Sequence, residues 1–400
     1  MSGKIRVGVN ALWMVPGVVG GTEVGTVSLL HSFAAAQAAG FHDDIEVVLY
    51  GLARLAAAHP HLLGQFEHHL VDLDGAQRPM RVLAETLWLP MRLRRDHIDV
   101  VHHAGGVVPV GGRWMGGARV ALTVHDVQVL EHPAYFAPVK RRYLQWMLPR
   151  SVRAADLVLT PTEASGRTVA DRLGVPDERM WLSRFSWPRG VLESPSDAER
   201  ARVRATYRLP GPFFVYPAIT YPHKNHALLL DAFAALVDQE GGAVDAITAP
   251  PVLVLTGAAA GEEDSVAARV ERLGIGASVR RVGRIPRRDL GVLLAEATAL
   301  TFPSQYEGFG LPALEAMIAG CPVIASDVGA VAEVVAGAGI LVPTDDAEPW
   351  TTAMRRLLHD PALRQDLRAA GVQRAAAPTF SDEIASEQLA AAYRRAVAAR

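Results

Sequence analysis

Two carboxylates, a lysine and a histidine stand out by residue type and setting. Glu307 and Glu315 are separated by seven residues, Gly308-Phe309-Gly310-Leu311-Pro312-Ala313-Leu314. Gly308 and Gly310 let the backbone come close to a ligand, and the amides of Phe309, Gly310 and Leu311 open a helix. Helix-opening N–H groups, with the positive end of the helix dipole behind them, suit a phosphate. A carboxylate beside a phosphate is electrostatically costly, so the two glutamates need another task. Hydrogen-bonding the vicinal hydroxyls of a sugar or ribose is the evident one. Glycine-rich turns are common, and a solvated Glu307 with Glu315 on an exposed helix face is the plainer alternative. Lys224, in Pro222-His223-Lys224-Asn225, adds a cation that can neutralise a leaving diphosphate. His125 closes Thr123-Val124-His125-Asp126 at a strand's carboxyl end, where open α/β sheets bind ligands.

These residues require strands and helices to hold them. The apolar run Leu300 to Phe302 reads as a buried parallel strand, with Pro312 at the first helical position after it, Gly320 just past the helix end and Pro322 stopping continuation. Ile5 to Asn10 is a strand, followed by a loop from Ala11 to Gly21 and a helix from Thr22 to Ala39. Gly20 and Gly21 thus stand where a strand-loop-helix unit presents backbone to a ligand; a plain flexible loop is the equal alternative. Further strands are expected at Ile45 to Tyr50, Asp99 to His103, Arg119 to Val124, Asp156 to Thr160, Phe213 to Tyr216 and Val252 to Gly257. Another covers Val279 onward, leading into a helix from Asp289 to Ala297. Helices are expected at Glu163 to Leu173 and Ala227 to Leu236. From Arg184 to Gly211 the pattern weakens around prolines 188, 195 and 210, with a charged helix-like piece between, which places an interdomain linker there.

The chain resembles the retaining glycosyltransferases of family 4, the group 1 enzymes. The paired glutamates around Gly308-Phe309-Gly310-Leu311-Pro312 carry the likeness, with Ile324-Ala325-Ser326-Asp327-Val328-Gly329 and Gly339-Ile340-Leu341-Val342-Pro343. It runs over nearly the whole chain and is strongest from Pro212 to Pro343. The resemblance implies an α/β, GT-B architecture: two facing Rossmann-like domains with parallel sheets and a donor cleft between them. The N-terminal, acceptor-side domain would span 1–190 and the nucleotide-sugar-binding domain 191–380, with the final helix 381–400 packing back on the first. By the same likeness Lys224 and the 309–311 amides stabilise the diphosphate, Glu307 holds sugar hydroxyls, Glu315 the ribose diol, and His125 contacts the donor sugar. Gly20 and Gly21 face the donor, and Gly283, Arg284 and Ile285 wall the base pocket. Asp126 accepts the His125 ring N–H or an acceptor hydroxyl.

One departure matters: many members carry an arginine where this chain has Ala218, so one cation on the diphosphate is missing or comes from elsewhere, Arg284 and His125 being candidates. The Pro217-to-His226 stretch resembles a bacterial subgroup that includes mannosyltransferases of surface-polysaccharide synthesis. It favours GDP-mannose over UDP- or ADP-hexose as co-substrate, with no separate cofactor and no metal. The expected reaction moves a hexosyl group to a hydroxyl of a polysaccharide, glycolipid or metabolite. A nucleotide-sugar epimerase of the same fold and a non-catalytic nucleotide-binding subunit of a polysaccharide-assembly system stay open as alternatives.

Composition sets the outer limits. The 400 residues suit two domains, half are hydrophobic and 20% charged, so sizeable cores are available. A net charge of −2 argues against a dedicated nucleic-acid binder. The lone Cys321 permits no internal disulfide and fits a reducing compartment. With no signal-peptide core and no long apolar run, a cytoplasmic protein is expected, and any membrane contact would be peripheral, at the inner face. The basic stretch 138–153 is the candidate for that contact; a surface helix with a narrow apolar stripe is the favoured reading. His59, His61, His68, His69, Asp72 and Asp74 match no standard metal spacing and read as a solvated segment.

Overall fold

The computed structural model describes residues 3–16, 20–73, 78–110, 117–186, 194–241 and 249–398. It divides into two compact units, Met1–Pro188 with Pro378–Arg400, and Arg189–Ala377.

Unit 1 is built on seven strands: β1 (Ile5–Ala11), β2 (Ile45–Leu52), β3 (Glu67–Val71), β4 (Val100–His103), β5 (Arg119–Thr123), β6 (Leu157–Thr160) and β7 (Met180–Leu182). Their order across the sheet is β3-β2-β1-β4-β5-β6-β7, and all pairings are parallel. The central strands are buried along most of their length, which explains their apolar sequences: helices cover both faces of such a sheet. The strand order reverses between β1 and β4, whose register sets Asn10 opposite His103. That reversal marks the crevice where open α/β sheets take ligands.

Unit 2 repeats the plan with six strands: β8 (Phe213–Pro217), β9 (Val252–Thr256), β10 (Val279–Gly283), β11 (Ala299–Phe302), β12 (Val323–Ser326) and β13 (Ile340–Val342). Their order is β10-β9-β8-β11-β12-β13, again parallel, with the reversal between β8 and β11. A Cβ on Gly257, just past β9, would sit 2.2 Å from the Ala218 carbonyl oxygen, so only glycine permits these two loops to touch.

The C-terminal helix Asp382–Ala398 belongs to unit 1. Ser32 donates to Asp382 at 2.6 Å, the Trp181 indole N–H to the Gln388 carbonyl at 2.9 Å, and the buried Tyr393 hydroxyl meets His102 Nδ1 at 2.9 Å. Helix Pro138–Ala154 buries Met147, Leu148, Ser151 and Val152 and leaves Val139, Tyr143 and Trp146 exposed.

Two local expectations change. The 59–69 stretch is structured rather than merely solvated. His59 pairs with Glu23 at 2.8 Å, while His68 and His69 lie in edge strand β3 and His69 sits 3.2 Å from Asp96. Asp72 follows that strand and Asp74 lies outside the described residues; among those described, no group of three His, Cys, Asp or Glu side chains is arranged to hold a metal. The charged helix-like piece expected within 184–211 is a helix of unit 2, Asp197–Thr206, started by a reciprocal Ser196–Glu199 capping box. Pro312 is the second residue of its helix, Leu311–Ile318, not the first.

Candidate active site

At the strand reversal of unit 2, two loops are tied together from below. The buried Tyr216, in β8, donates its hydroxyl to the Lys224 carbonyl at 2.6 Å and lies 3.3 Å from the Ser304 hydroxyl. Gln305 N–H donates to the His223 carbonyl at 2.8 Å, and the Ser326 hydroxyl to the Ser304 carbonyl at 2.6 Å. Lys224 ends a 3-10 turn at Pro222–Lys224, and Asn225 follows with a left-handed backbone, its amide donating to the Thr344 carbonyl at 3.0 Å. The polypeptide around Lys224 is therefore held by backbone contacts that leave its ammonium to other work.

That ammonium forms an ion pair with Glu307, and both side chains are largely enclosed, 16% and 14% exposed. Lys224 also lies 5.8 Å above the Phe302 ring. Burial of the pair makes each partner dependent on the other, since an isolated charge would be left desolvated. His226 beside it is pushed down to about 4 by burial and by the Lys224 charge, so this ring is neutral near pH 7.

Past Glu307 the chain turns through Gly308, and Gly310 caps helix Leu311–Ile318 with φ +99°. An L side chain is strained there, which accounts for the glycine. Pro312 carries no N–H, and Ala313 N–H returns to the Gly310 carbonyl at 3.0 Å. Phe309 and Leu311 bury their side chains.

Glu315 is buried, not on an exposed face, and Arg287 Nη2 reaches its Oε1 at 2.6 Å. Burial raises the Glu315 carboxyl above its usual range, and Arg287 opposes the rise. Arg287 begins helix Arg287–Glu296, four residues beyond Gly283. The Gly283 carbonyl accepts from Gly257 N–H at 2.9 Å and from the Thr256 hydroxyl at 2.8 Å, so the end of β10 is pinned to β9 while Arg284 is exposed. Ala218 is buried, its N–H on the Thr256 carbonyl at 2.7 Å.

The remaining candidates belong to unit 1. Gly20 caps helix Gly21–Ala38 and accepts from Glu23 N–H at 3.1 Å. His125 follows β5 and stacks on Phe185 with centroids 5.8 Å apart. Its Nε2 lies 2.7 Å from the Ala104 carbonyl. A carbonyl only accepts, so the proton is on Nε2, and Nδ1 is an enclosed acceptor without a hydrogen-bond partner in the described residues. Burial holds this imidazole neutral. Ala104, not Asp126, thus takes the ring N–H; Asp126 accepts from Gln128 N–H at 3.0 Å.

The structure brings Lys224 to Glu307 and gives Glu315 an unforeseen partner in Arg287. Sequence reasoning also passed over Tyr216. Arg287 lies just beyond the stretch 283–285, and a cation opening the helix there was a usable signal; a tyrosine inside an apolar strand gives none.

Residues 19–183 match the Glycosyltransferase Family 4 description and residues 198–374 that of Glycosyl transferases group 1. An O-antigen chain mannosyltransferase B of Escherichia coli is 30% identical, the alignment covering 80% of this chain and 81% of that one. The chain belongs to the family 4, group 1 glycosyltransferases. A D-inositol 3-phosphate glycosyltransferase of Nocardioides sp. is also 30% identical, over 75% of this chain and 68% of the other. Among solved structures, the sucrose-phosphate synthase of Thermosynechococcus elongatus superposes with TM-score 0.77 at 21% identity, covering 99% and 100% of the two chains. An Anabaena protein crystallised with UDP and glucose gives TM-score 0.71 at 18% identity, covering 97% and 98%. The fold is GT-B, two Rossmann-like α/β domains with parallel sheets. Among the described residues of this glycosyltransferase, no helix is long and apolar enough to cross a membrane.

Proposed function

We propose that this glycosyltransferase moves a hexosyl group, mannose before others, from a nucleoside diphosphate sugar to an acceptor hydroxyl with retention of configuration. The observation that carries the reading is the enclosed Lys224–Glu307 pair beside the glycine-capped helix at 311–318. A cation beside helix-opening amides suits a leaving diphosphate, and a carboxylate paired with it suits sugar hydroxyls, which supports this reading. The acceptor oxygen bonds to the anomeric carbon on the face from which the phosphate oxygen departs, and that phosphate oxygen takes the acceptor's proton. No separate general base is then needed. Lys224, with the amides of Phe309, Gly310 and Leu311, stabilises the departing charge; Glu307 keeps one oxygen toward Lys224 and accepts from sugar hydroxyls.

Glu315 takes the ribose diol, and Arg287 beside it supplies the second cation, in place of an arginine at 218 and ahead of Arg284 or His125. His125 contacts the sugar through its enclosed Nδ1. Gly20 and Gly21 face the donor, Gly283, Arg284 and Ile285 wall the base, and Asp126 faces the acceptor. Mannose is favoured by the O-antigen mannosyltransferase among the relatives, and GDP by the resemblance of the stretch 217–226. Protein cations make a metal unnecessary, so EDTA leaves the rate unchanged.

The test is a melting-temperature panel of GDP, UDP and ADP, each with its hexose conjugates, on wild type and Lys224→Ala. A ligand at 100 times its dissociation constant adds about 2.7 kcal/mol. Stabilisation by one diphosphate that is mostly lost in Lys224→Ala is expected. Nucleotide binding with no turnover of the bound sugar on any acceptor would overturn the transferase reading, and an inverted product by NMR would overturn retention.

A further inference from the structure

The strand reversal of unit 1 holds a second polar cluster that the proposed chemistry does not use. Asn10 ends the regular part of β1 and His103 ends β4, both wholly enclosed. The Asn10 amide nitrogen lies 3.2 Å from His103 Nδ1 and 3.4 Å from Glu85 Oε1, while its carbonyl oxygen accepts from Leu12 N–H at 3.1 Å. The Asn10 amide has two hydrogens, so one goes to Glu85 and one to His103. His103 Nδ1 is then an acceptor, and in the neutral ring the proton sits on Nε2. That Nε2–H is enclosed and has no hydrogen-bond partner among the described residues. A second orphan donor stands close in the chain: Trp13, whose ring occupies the space a side chain on Gly105 would need, has its indole N–H enclosed without a partner.

Glu85 lies in a π-helical turn, Ala84–Trp88, and is buried. Such turns are rare and recur at functional sites. Burial raises its carboxyl, and drives His103 down to about 3. The His103 ring is thus neutral, and the cluster holds donors that no acceptor among the described residues meets. Tyr143 and Arg81 lie within electrostatic range of Glu85. The cluster also adjoins His125, whose ring N–H is taken by Ala104, the residue after His103.

We propose that Asn10, Glu85 and His103, with the Trp13 ring over Gly105, form a subsite that binds the hydroxyls of an uncharged hexoside acceptor. Hydroxyl oxygens accept from the His103 and Trp13 N–H groups, and the aromatic ring offers an apolar face to the sugar's C–H groups. This rests on the transferase reading for the role of acceptor, but not for the binding itself.

The experiment uses the full chain and calorimetric titration with methyl α-D-mannoside, methyl α-D-glucoside and methyl α-D-galactoside, with mannose 6-phosphate as the anionic control. Wild type, Glu85→Gln and Glu85→Leu are compared, each also tested for its melting-temperature response to GDP, UDP and ADP. We expect saturable binding of at least one methyl hexoside, weakened about tenfold or more by Glu85→Leu and within about threefold of wild type in Glu85→Gln, which keeps a neutral donor and acceptor. Should Glu85→Leu fail to fold, Trp13→Leu carries the same expectation of weakened hexoside binding. Absence of hexoside binding, equal binding by folded Glu85→Leu, or tighter binding of mannose 6-phosphate overturns the proposal. If no diphosphate shifts the melting temperature, the donor reading fails and the hexoside result stands by itself. If a diphosphate does and no hexoside binds, the subsite alone fails.

Discussion

The two sheets have the same strand order around their reversals, yet the residues placed there differ in kind. In unit 2 the reversal is occupied by opposite charges in contact, Lys224 with Glu307, and Arg287 pairs with Glu315 between two helices of the same unit. In unit 1 it is occupied by Asn10, Glu85 and His103, a buried network whose histidine is neutral and whose carboxyl is raised by burial. Topology fixes where a ligand is received, and the side chains decide what its chemistry is. A charged pair that a ligand can share suits a diphosphate; a buried network with orphan donors suits hydroxyls.

The sharpest break of this contrast is Lys224→Ala. Loss of the cation on the leaving group lowers kcat roughly 30- to 1,000-fold, measured with saturating donor. A kcat within a fewfold of wild type would remove the charged half of the comparison. Next, Asn10→Ala removes the hub of the unit 1 half. It leaves Glu85 and His103 without their shared donor and destabilises the protein by about 1–3 kcal/mol in urea unfolding, without changing the diphosphate dissociation constant. Equal weakening of nucleotide binding would mean the two halves are not chemically separate.

The pH dependence of stability separates the buried histidines of unit 1 from the buried carboxyls by sign. His102 and His103 are held near 3 by burial, against 6.5 for a free ring, so their contribution is present above pH 6.5 and is lost as pH falls toward 3. Glu85 and Glu315 are raised by burial, so their contribution is present below the usual carboxylate value of 4.5 and is lost as pH rises through their folded values. Urea midpoints should fall from pH 6.5 to pH 4, and less steeply in a His102→Gln/His103→Gln variant; identical slopes would remove the histidines as the cause. The smallest effect is expected for Arg287→Ala, because its side chain is 42% exposed. Diphosphate affinity should weaken by about 1 kcal/mol or less, within about fivefold. A loss comparable to that of Lys224→Ala would make Arg287 a principal ligand.

Much of the architecture was readable from periodicity, because buried parallel strands must be apolar along their length. β1, β4, β5, β8, β9 and β11 all show it. Four strands escaped, β3, β7, β12 and β13, and three of them are edges. Glu-His-His-Leu-Val in β3 is polar because one side faces solvent, β7 and β13 have three residues each, and the interior β12 has four. The glycine turn and its glutamates were readable because they are contiguous, and their spacing survives folding as one strand-turn-helix unit. Glu315 was readable as a candidate but not as buried, and Arg287, which the helix start just past 283–285 could have flagged as a cation, was not readable as its partner.

The sequence by itself determined the family, the alternation of strand and helix, and the local cradle from Glu307 to Glu315, since each depends on residues near one another in the chain. Only the tertiary structure decided that Lys224 meets Glu307, 83 residues away, and that Asn10 joins Glu85 and His103 across 75 and 93 residues. No local pattern encodes such meetings. They arise because parallel strands need long crossovers, so neighbours at a sheet's carboxyl edge are necessarily distant in the chain.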